Sequence, residues 1–275
     1  MDQAMIGFIG AGNMGRSLAG GLLKSGWDRQ RLVLADAVPE TRQVVGNLLG
    51  LTVYADNNEV ADRADVLVLA TKPQQMRAVC KGVAPAVQSR KPLIVSIAAG
   101  VRIKNIEDWL GGNLPIVRVM PNTPALVNSG ASALFANPRA SDRQRELAES
   151  ILRTVGVAIW LSSEDQLDAV TGVSGSGPAY FFLAMEALEQ AAVEQGLDAA
   201  IARLLAVETA FGAAKMALES GTDPAELRRN VTSPGGTTER AIAKLQDGGF
   251  ERLFKQAVAA ATARSRELAD MLGGE

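Results

Sequence analysis

Met5-Ile6-Gly7-Phe8-Ile9-Gly10-Ala11-Gly12-Asn13-Met14-Gly15 is the stretch whose reading decides the fold. The apolar run 5–9 has the length and residue types of a buried strand. Gly10, Gly12 and Gly15 follow in the spacing G-x-G-x-x-G, and Leu18, Leu22 and Leu23 then recur at helical spacing. A glycine-rich turn between strand and helix is where a dinucleotide pyrophosphate meets a helix N-terminus. Gly10 permits the tight turn, Gly12 lets a phosphate approach the backbone, and Gly15 allows the helix to pack closely on the strand. Asp36 stands at the end of a second apolar run, Leu32-Val33-Leu34-Ala35. An acid there is placed to accept hydrogen bonds from the adenosine ribose hydroxyls. Gly10, Ala11, Gly12, Asn13, Met14, Gly15 and Asp36 are therefore the first expected coenzyme-binding residues.

Working outward, short β-branched runs alternate with helical patterns as far as about Trp160. Strands are predicted over 5–9, 32–35, 66–70, 93–97, 116–120, 132–135 and 157–161, with helices over 16–25, 39–49, 74–87 and 142–154. Such alternation predicts an α/β fold with a doubly wound, mostly parallel, Rossmann-like sheet. Ligands of such sheets bind beyond the carboxyl ends of the strands, which marks the loops 10–15, 71–73, 97–100 and 121–124. After Leu161 the composition shifts, and only helical patterns follow, over 164–173, 178–195, 199–220, 224–230, 238–246 and 250–272. The expected division is a dinucleotide-binding domain, 1–161, and an all-helical dimerisation and substrate-binding domain, 162–275. The helix 178–195 opens with Tyr180-Phe181-Phe182-Leu183-Ala184-Met185 and is apolar nearly all round. A small helical domain has too little interior to bury several such helices, so a second subunit is expected to cover them as a two-fold dimer.

Composition narrows the function classes. Of 275 residues, 47% are hydrophobic and 21% charged, which describes a globular chain. A net charge of −2 gives no electrostatic reason to expect nucleic acid or an anionic membrane. The charge-free stretch 169–185 is broken by Gly175-Ser176-Gly177-Pro178, so no membrane helix is predicted. The first strand begins at Met5, leaving no room for a signal peptide, and the cytoplasm is the expected location. Cys80 is the only cysteine, which excludes an intrachain disulfide and suits a core-facing thiol. There is no histidine at all, which excludes Ser-His-Asp and Cys-His catalysis and the usual zinc sites; no metal is expected.

A second informative stretch is Arg228-Arg229-Asn230-Val231-Thr232-Ser233-Pro234-Gly235-Gly236-Thr237-Thr238-Glu239-Arg240. The glycine pair lets the backbone turn tightly, and the N–H groups opening the next helix favour an anion. Ser233, Thr237 and Thr238 add hydroxyl donors without adding charge, so the loop suits a small carboxylate. The same residues also suit a plain helix start, with Thr237 or Thr238 capping and Glu239 in the first turn. Other loops are similarly two-sided. Lys72, in Thr71-Lys72-Pro73, is either beside a bound ligand or a solvated strand-end lysine. Ser96-Ile97-Ala98-Ala99-Gly100 suits either backbone contact with a nicotinamide ring or tight packing, and Met120-Pro121-Asn122-Thr123-Pro124 is a rigid turn carrying an amide.

Together these stretches resemble the pyrroline-5-carboxylate reductase family along essentially the whole chain. The most specific segments are 7–15, 71–73, 96–100, 120–124, Val173-Ser174-Gly175-Ser176-Gly177-Pro178-Ala179-Tyr180, and 231–238. The resemblance implies reduction of 1-pyrroline-5-carboxylate to L-proline by NADPH or NADH, intertwined helical domains in a homodimer, and larger rings of dimers. It implies coenzyme contacts from Asn57, near the adenosine, and from Ala70, Thr71, Lys72, Pro73, Ala98, Ala99 and Asn122. For the substrate it implies Ser233, Gly235, Gly236 and Thr237 on the carboxylate and Thr238 on the ring nitrogen, with Asn230 and Lys72 as further candidates.

Residue chemistry agrees with an imine substrate. The related hydroxyacid dehydrogenases follow a comparable glycine-rich turn with a helix carrying a catalytic lysine, whereas here Ala179-Tyr180-Phe181-Phe182-Leu183 follows. Oxidising an alcohol needs a base; reducing a protonated ring imine needs only that it be held against the hydride donor. The family commonly uses NADPH, but acidic Asp36 leans toward NADH, with Arg42 one turn along as a counterweight. A hydroxyacid or imino-acid reductase on the same plan is the alternative enzyme. A non-catalytic nucleotide sensor is the alternative outside catalysis, against which the carboxylate-suited loop speaks.

Overall fold

The computed structural model describes residues 4–274. In chain order come β1 (Ile6–Ile9), α1 (Asn13–Lys24), β2 (Leu32–Ala35), α2 (Pro39–Leu49), β3 (Val53–Tyr54), α3 (Asn57–Ala61) and β4 (Val66–Leu69). Next are α4 (Pro73–Arg90), β5 (Leu93–Ser96), α5 (Ile103–Leu110), β6 (Ile116–Met120), β7 (Gly130–Ala136), α6 (Asp142–Arg153), β8 (Gly156–Trp160) and α7 (Gln166–Val170). The strands form one sheet in the order β3-β2-β1-β4-β5-β6-β7-β8. Every neighbouring pair is parallel except β6 and β7. The winding reverses between β1 and β4, and that switch point is where a doubly wound sheet opens a crevice for ligand.

The central strands are buried on both faces, which is why they read as unbroken apolar runs. Ile6 and Phe8 pack with Leu18 and Leu22 of α1 and Ile151 of α6 on one face. Ile9, Leu67 and Leu69 pack with Met76, Cys80 and Val83 of α4 on the other. Burying each such leucine or phenylalanine stabilises the fold by roughly 1.5–3 kcal/mol. Helix α6 starts with a full capping box between Ser141 and Gln144.

Two departures from the predicted elements bear on the loops. The helix predicted over 164–173 divides into α7 and a π-helical turn, Thr171–Gly175. The strand predicted over 132–135 is longer, because Asn122 Oδ1 accepts from Ala131 N–H (2.8 Å) and aligns the start of β7 beside β8. A polar set, buried at Arg118 and exposed at Asp165, adjoins these elements. Arg118 of β6 pairs with Glu164 at 2.9 Å, and the same carboxylate accepts from Ile103 N–H at 2.8 Å. Arg102 holds Asp165 at 2.7 Å, which lowers the aspartate pKa and raises that of the arginine.

Beyond β8 no strand occurs among the described residues. The remaining elements are α8 (Gly177–Glu194), α9 (Ala199–Ser220), α10 (Pro224–Asn230), α11 (Thr237–Asp247) and α12 (Phe250–Gly274). The chain divides into two compact units, one running to Ser176 and resuming at Ala259, the other Gly177–Val258. In the first unit the end of α12 is fastened by Ser265, whose hydroxyl donates to buried Asp168 at 2.7 Å. In the second, Asp198 and Asp223 cap α9 and α10, with Pro224 opening the latter. Phe181, Phe182 and Leu183 of α8 are 61%, 63% and 66% exposed in the single chain. The single chain does not supply the burial that their composition predicts. No helix among the described residues is long and apolar enough to cross a membrane.

Candidate active site

A groove of about 570 Å³ opens at the switch point, lined among others by Gly10, Gly12, Asp36, Asn57, Thr71 and Lys72. Each glycine of the turn has a distinct reason to be glycine. Gly10 sits at φ +99°, and a Cβ there would lie 2.6 Å from the Ala70 carbonyl oxygen. A Cβ on Gly15 would lie 2.2 Å from the Gly10 carbonyl oxygen, so helix and loop touch directly. A Cβ on Gly12 would meet nothing within 4 Å. That open space faces the start of α1, whose cap contributes no side-chain acceptor. The Asn13 and Met14 N–H groups have no acceptor among the described residues, which leaves them for an anion.

Asp36 does more than sequence predicts. Its Oδ2 accepts from Ala11 N–H at 2.8 Å and its Oδ1 from Val38 N–H at 2.9 Å, tying the glycine loop to the end of β2. Each oxygen keeps a further lone pair, so a ribose hydroxyl can still be received. Arg42 Nη1 donates to the main-chain carbonyls of Asp36 and Ala37 at 3.0 and 2.9 Å, which parks the guanidinium beside that acid. Asn57 begins α3 after the Asp56 cap. Ala70 continues from β4, with its N–H on the Ile9 carbonyl at 2.8 Å. Thr71 Oγ1 turns to Met76 Sδ at 3.8 Å, and exposed Lys72 caps α4 ahead of Pro73. Ala98 is buried and Ala99 half-buried, over a loop whose Gly100 is backed by Leu268 and Leu272.

Asn122 has a use that its sequence gives no sign of. Besides accepting from Ala131 N–H, its Nδ2 donates to the Ser174 carbonyl at 3.1 Å. The side chain thus braces the π-helical turn against the end of β6. Gly175 belongs to the same contact, since a Cβ there would lie 2.5 Å from Met120 Cε.

In the second unit, Gly236 caps α11 without any side-chain cap bond, so neither Thr237 nor Thr238 is the cap. Gly236 N–H donates to the Ser233 carbonyl at 3.0 Å, and Gly235, at φ +71°, donates to Glu239 Oε2 at 2.7 Å. Thr237 and Thr238 N–H have no acceptor among the described residues. A Cβ on Gly236 would lie 2.5 Å from Ser233 Oγ, which keeps that hydroxyl against the turn. Asn230 ends α10 just before the loop. The resulting site offers open amides, those of Thr237 and Thr238 among them, and three hydroxyls at a helix N-terminus, with no imidazole and no metal-holding cluster among the described residues.

Residues 164–268 match the family model described as pyrroline-5-carboxylate reductase dimerisation. A protein of Pseudomonas aeruginosa named pyrroline-5-carboxylate reductase is 51% identical over 273 residues, spanning 99% of this chain and all of its own. The chain belongs to the pyrroline-5-carboxylate reductase family. Residues 5–100 also match the model for NADP oxidoreductase, coenzyme F420-dependent. The structure of a pyrroline-5-carboxylate reductase from Coxiella burnetii is similar at a TM-score of 0.93 and 45% identity, covering 98% of this chain and 99% of that one. A pyrroline carboxylate reductase of Plasmodium falciparum, solved with NADP bound, is similar at 0.85 and 29%, with the same coverages. As a member of the pyrroline-5-carboxylate reductase family the chain is an NAD(P)H-dependent oxidoreductase and a homo-oligomer. The coenzyme fits the groove on structural grounds: open space over Gly12, unpaired amides at the start of α1, and a carboxylate, Asp36, in the lining.

Proposed function

We propose that this chain reduces 1-pyrroline-5-carboxylate to L-proline with the residues of the two sites described above. Reduced nicotinamide, when bound, supplies a hydride. The glycine loop and Asp36 would hold the dinucleotide, with Asn57, residues 70–73, Ala98, Ala99 and Asn122 along its length. Asn122 would act there by bracing the loop with its side-chain amide rather than by contacting the coenzyme. Thr237 and Thr238 N–H, with the Ser233 and Thr237 hydroxyls, would receive the substrate carboxylate; Gly235 and Gly236 shape the turn that presents them. Lys72 and Asn230 would be further candidate contacts for the carboxylate.

The chemical step is short. Hydride adds to the carbon of the protonated C=N bond, the π electrons pass to nitrogen, and a ring amine results. The Thr238 hydroxyl would orient the ring nitrogen by hydrogen bonding and relay a proton from water to the newly formed amine. A threonine hydroxyl is too weak an acid to do more. The observation that carries this reading is the pair of open amides at the start of α11, at a cap glycine that supplies no side-chain acceptor.

The test follows reduced-nicotinamide absorbance with pyrroline-5-carboxylate, a small hydroxyacid or another cyclic imine as substrate. Thr238→Ala is expected to lower kcat ten- to a hundredfold, about 1.4–2.7 kcal/mol, with coenzyme affinity unchanged. Unchanged turnover would remove Thr238 from the chemistry. We further propose the division into domains 1–161 and 162–275, rings of dimers, and a cytoplasmic location. The free, buried Cys80 thiol supports that compartment.

A further inference from the structure

The loop 233–238 contains a carboxylate of its own. Glu239 is the third residue of α11, the position from which a capping-box side chain reaches back to the cap N–H. Here the cap N–H, that of Gly236, is already taken by the Ser233 carbonyl at 3.0 Å. Glu239 reaches one residue further, and its Oε2 accepts from Gly235 N–H at 2.7 Å. Gly235 is the residue that must hold φ +71° for the loop to turn. A charge-assisted bond at that peptide therefore acts on the loop's most permissive joint.

We infer that Glu239 is a positioning residue for the substrate: by holding the Gly235 peptide it fixes the turn that presents the open Thr237 and Thr238 N–H groups. This rests on the substrate reading above. Four amides start the turn, at Gly235, Gly236, Thr237 and Thr238, and the first two are spent internally. A loop free to rotate at Gly235 would present its donors in many arrangements, and the substrate carboxylate would have to order them on binding. With the peptide held, that ordering precedes the substrate. The glutamate is exposed, so water screens its charge from the incoming carboxylate, and what it contributes is direction.

Two substitutions in the full-length enzyme separate direction from charge. Glu239→Ala removes the acceptor, and Glu239→Gln keeps a neutral oxygen in place. At saturating coenzyme, the alanine variant is expected to raise KM for pyrroline-5-carboxylate about tenfold, with kcat within about twofold. Coenzyme affinity, measured by fluorescence, stays at the wild-type value, and the glutamine variant recovers most of the KM. An alanine variant with wild-type KM overturns the inference. So does a KM that falls, which would make Glu239 a competitor for the substrate's place, and so does a glutamine variant as poor as alanine. A readout without turnover keeps the contact and the substrate apart. In the free enzyme the Gly235 amide should exchange its hydrogen slowly in wild type and faster in Glu239→Ala. A wild type inactive on pyrroline-5-carboxylate refutes the substrate reading, while a Gly235 amide that exchanges alike in both proteins refutes the contact.

Discussion

Replacing Asp36 with serine probes the coenzyme groove at the point where structure and charge meet. The substitution removes two charge-assisted hydrogen bonds, from Ala11 N–H at 2.8 Å and Val38 N–H at 2.9 Å. Each such bond is worth about 1.5–3 kcal/mol, and half-buried Asp36 belongs at the lower end. Loosening the glycine loop in this way should weaken both coenzymes, on the order of tenfold to a hundredfold. A second effect separates them. A 2′-phosphate with two charges, about 5 Å from the carboxylate in a water-like dielectric, is opposed by about 1.7 kcal/mol. Removing the acid lifts that opposition for NADPH only, so the ratio of kcat/KM values should move toward NADPH by roughly tenfold to thirtyfold. Asp36→Asn is the companion variant: it discards the charge but keeps one oxygen for an amide, so it should shift the ratio with a smaller loss of affinity. Initial rates with each coenzyme give the ratio, and fluorescence titration gives the affinities. Arg42 donates to the Asp36 and Ala37 carbonyls and so holds a positive charge beside the acid, which makes Asp36→Ser with Arg42→Ala the control. A wild type that strongly prefers NADPH, with a preference untouched by Asp36→Ser, would confine Asp36 to bracing the loop.

Asn122→Ala should lower stability by about 2 kcal/mol, since it strips Ala131 N–H and the Ser174 carbonyl of a partner; Asn122→Asp, which still accepts from Ala131, should cost less in a urea titration. Phe182→Glu on the exposed face of α8 should yield an inactive monomer by sedimentation, and an active monomer would refute the view that a second copy covers that face. Burial pushes the Cys80 thiol from 9.0 up to about 12. A raised acid favours the folded state below its unfolded pKa, so between about pH 9 and 12 wild type should lose about 1.4 kcal/mol per pH unit that Cys80→Ala does not, as read from paired unfolding curves.

The doubly wound sheet was legible because its causes are local. Residues 5–15 carry a strand, a turn that only glycine tolerates and a helix face, and Asp36 lies where β2 ends. The absence of histidine, and a helix opening with Tyr180-Phe181-Phe182, are also facts of sequence that restrict chemistry and call for a second copy. The C-terminal loop could be marked as a carboxylate cradle, yet the same letters equally described an ordinary helix start. Only folding decided between uses of one polar group. Whether Asn122 faces a ligand or a neighbour depends on Ser174, far along the chain, coming within 3.1 Å. Whether the Gly235 and Gly236 amides are free depends on where Glu239 and the Ser233 carbonyl point. Whether Asp36 serves ribose alone or also the loop depends on β1 and β2 lying side by side. Apolar periodicity is written in sequence because burial sums over many residues. A hydrogen bond is not, because its partner is chosen within a few tenths of an ångström by the backbone of a distant segment.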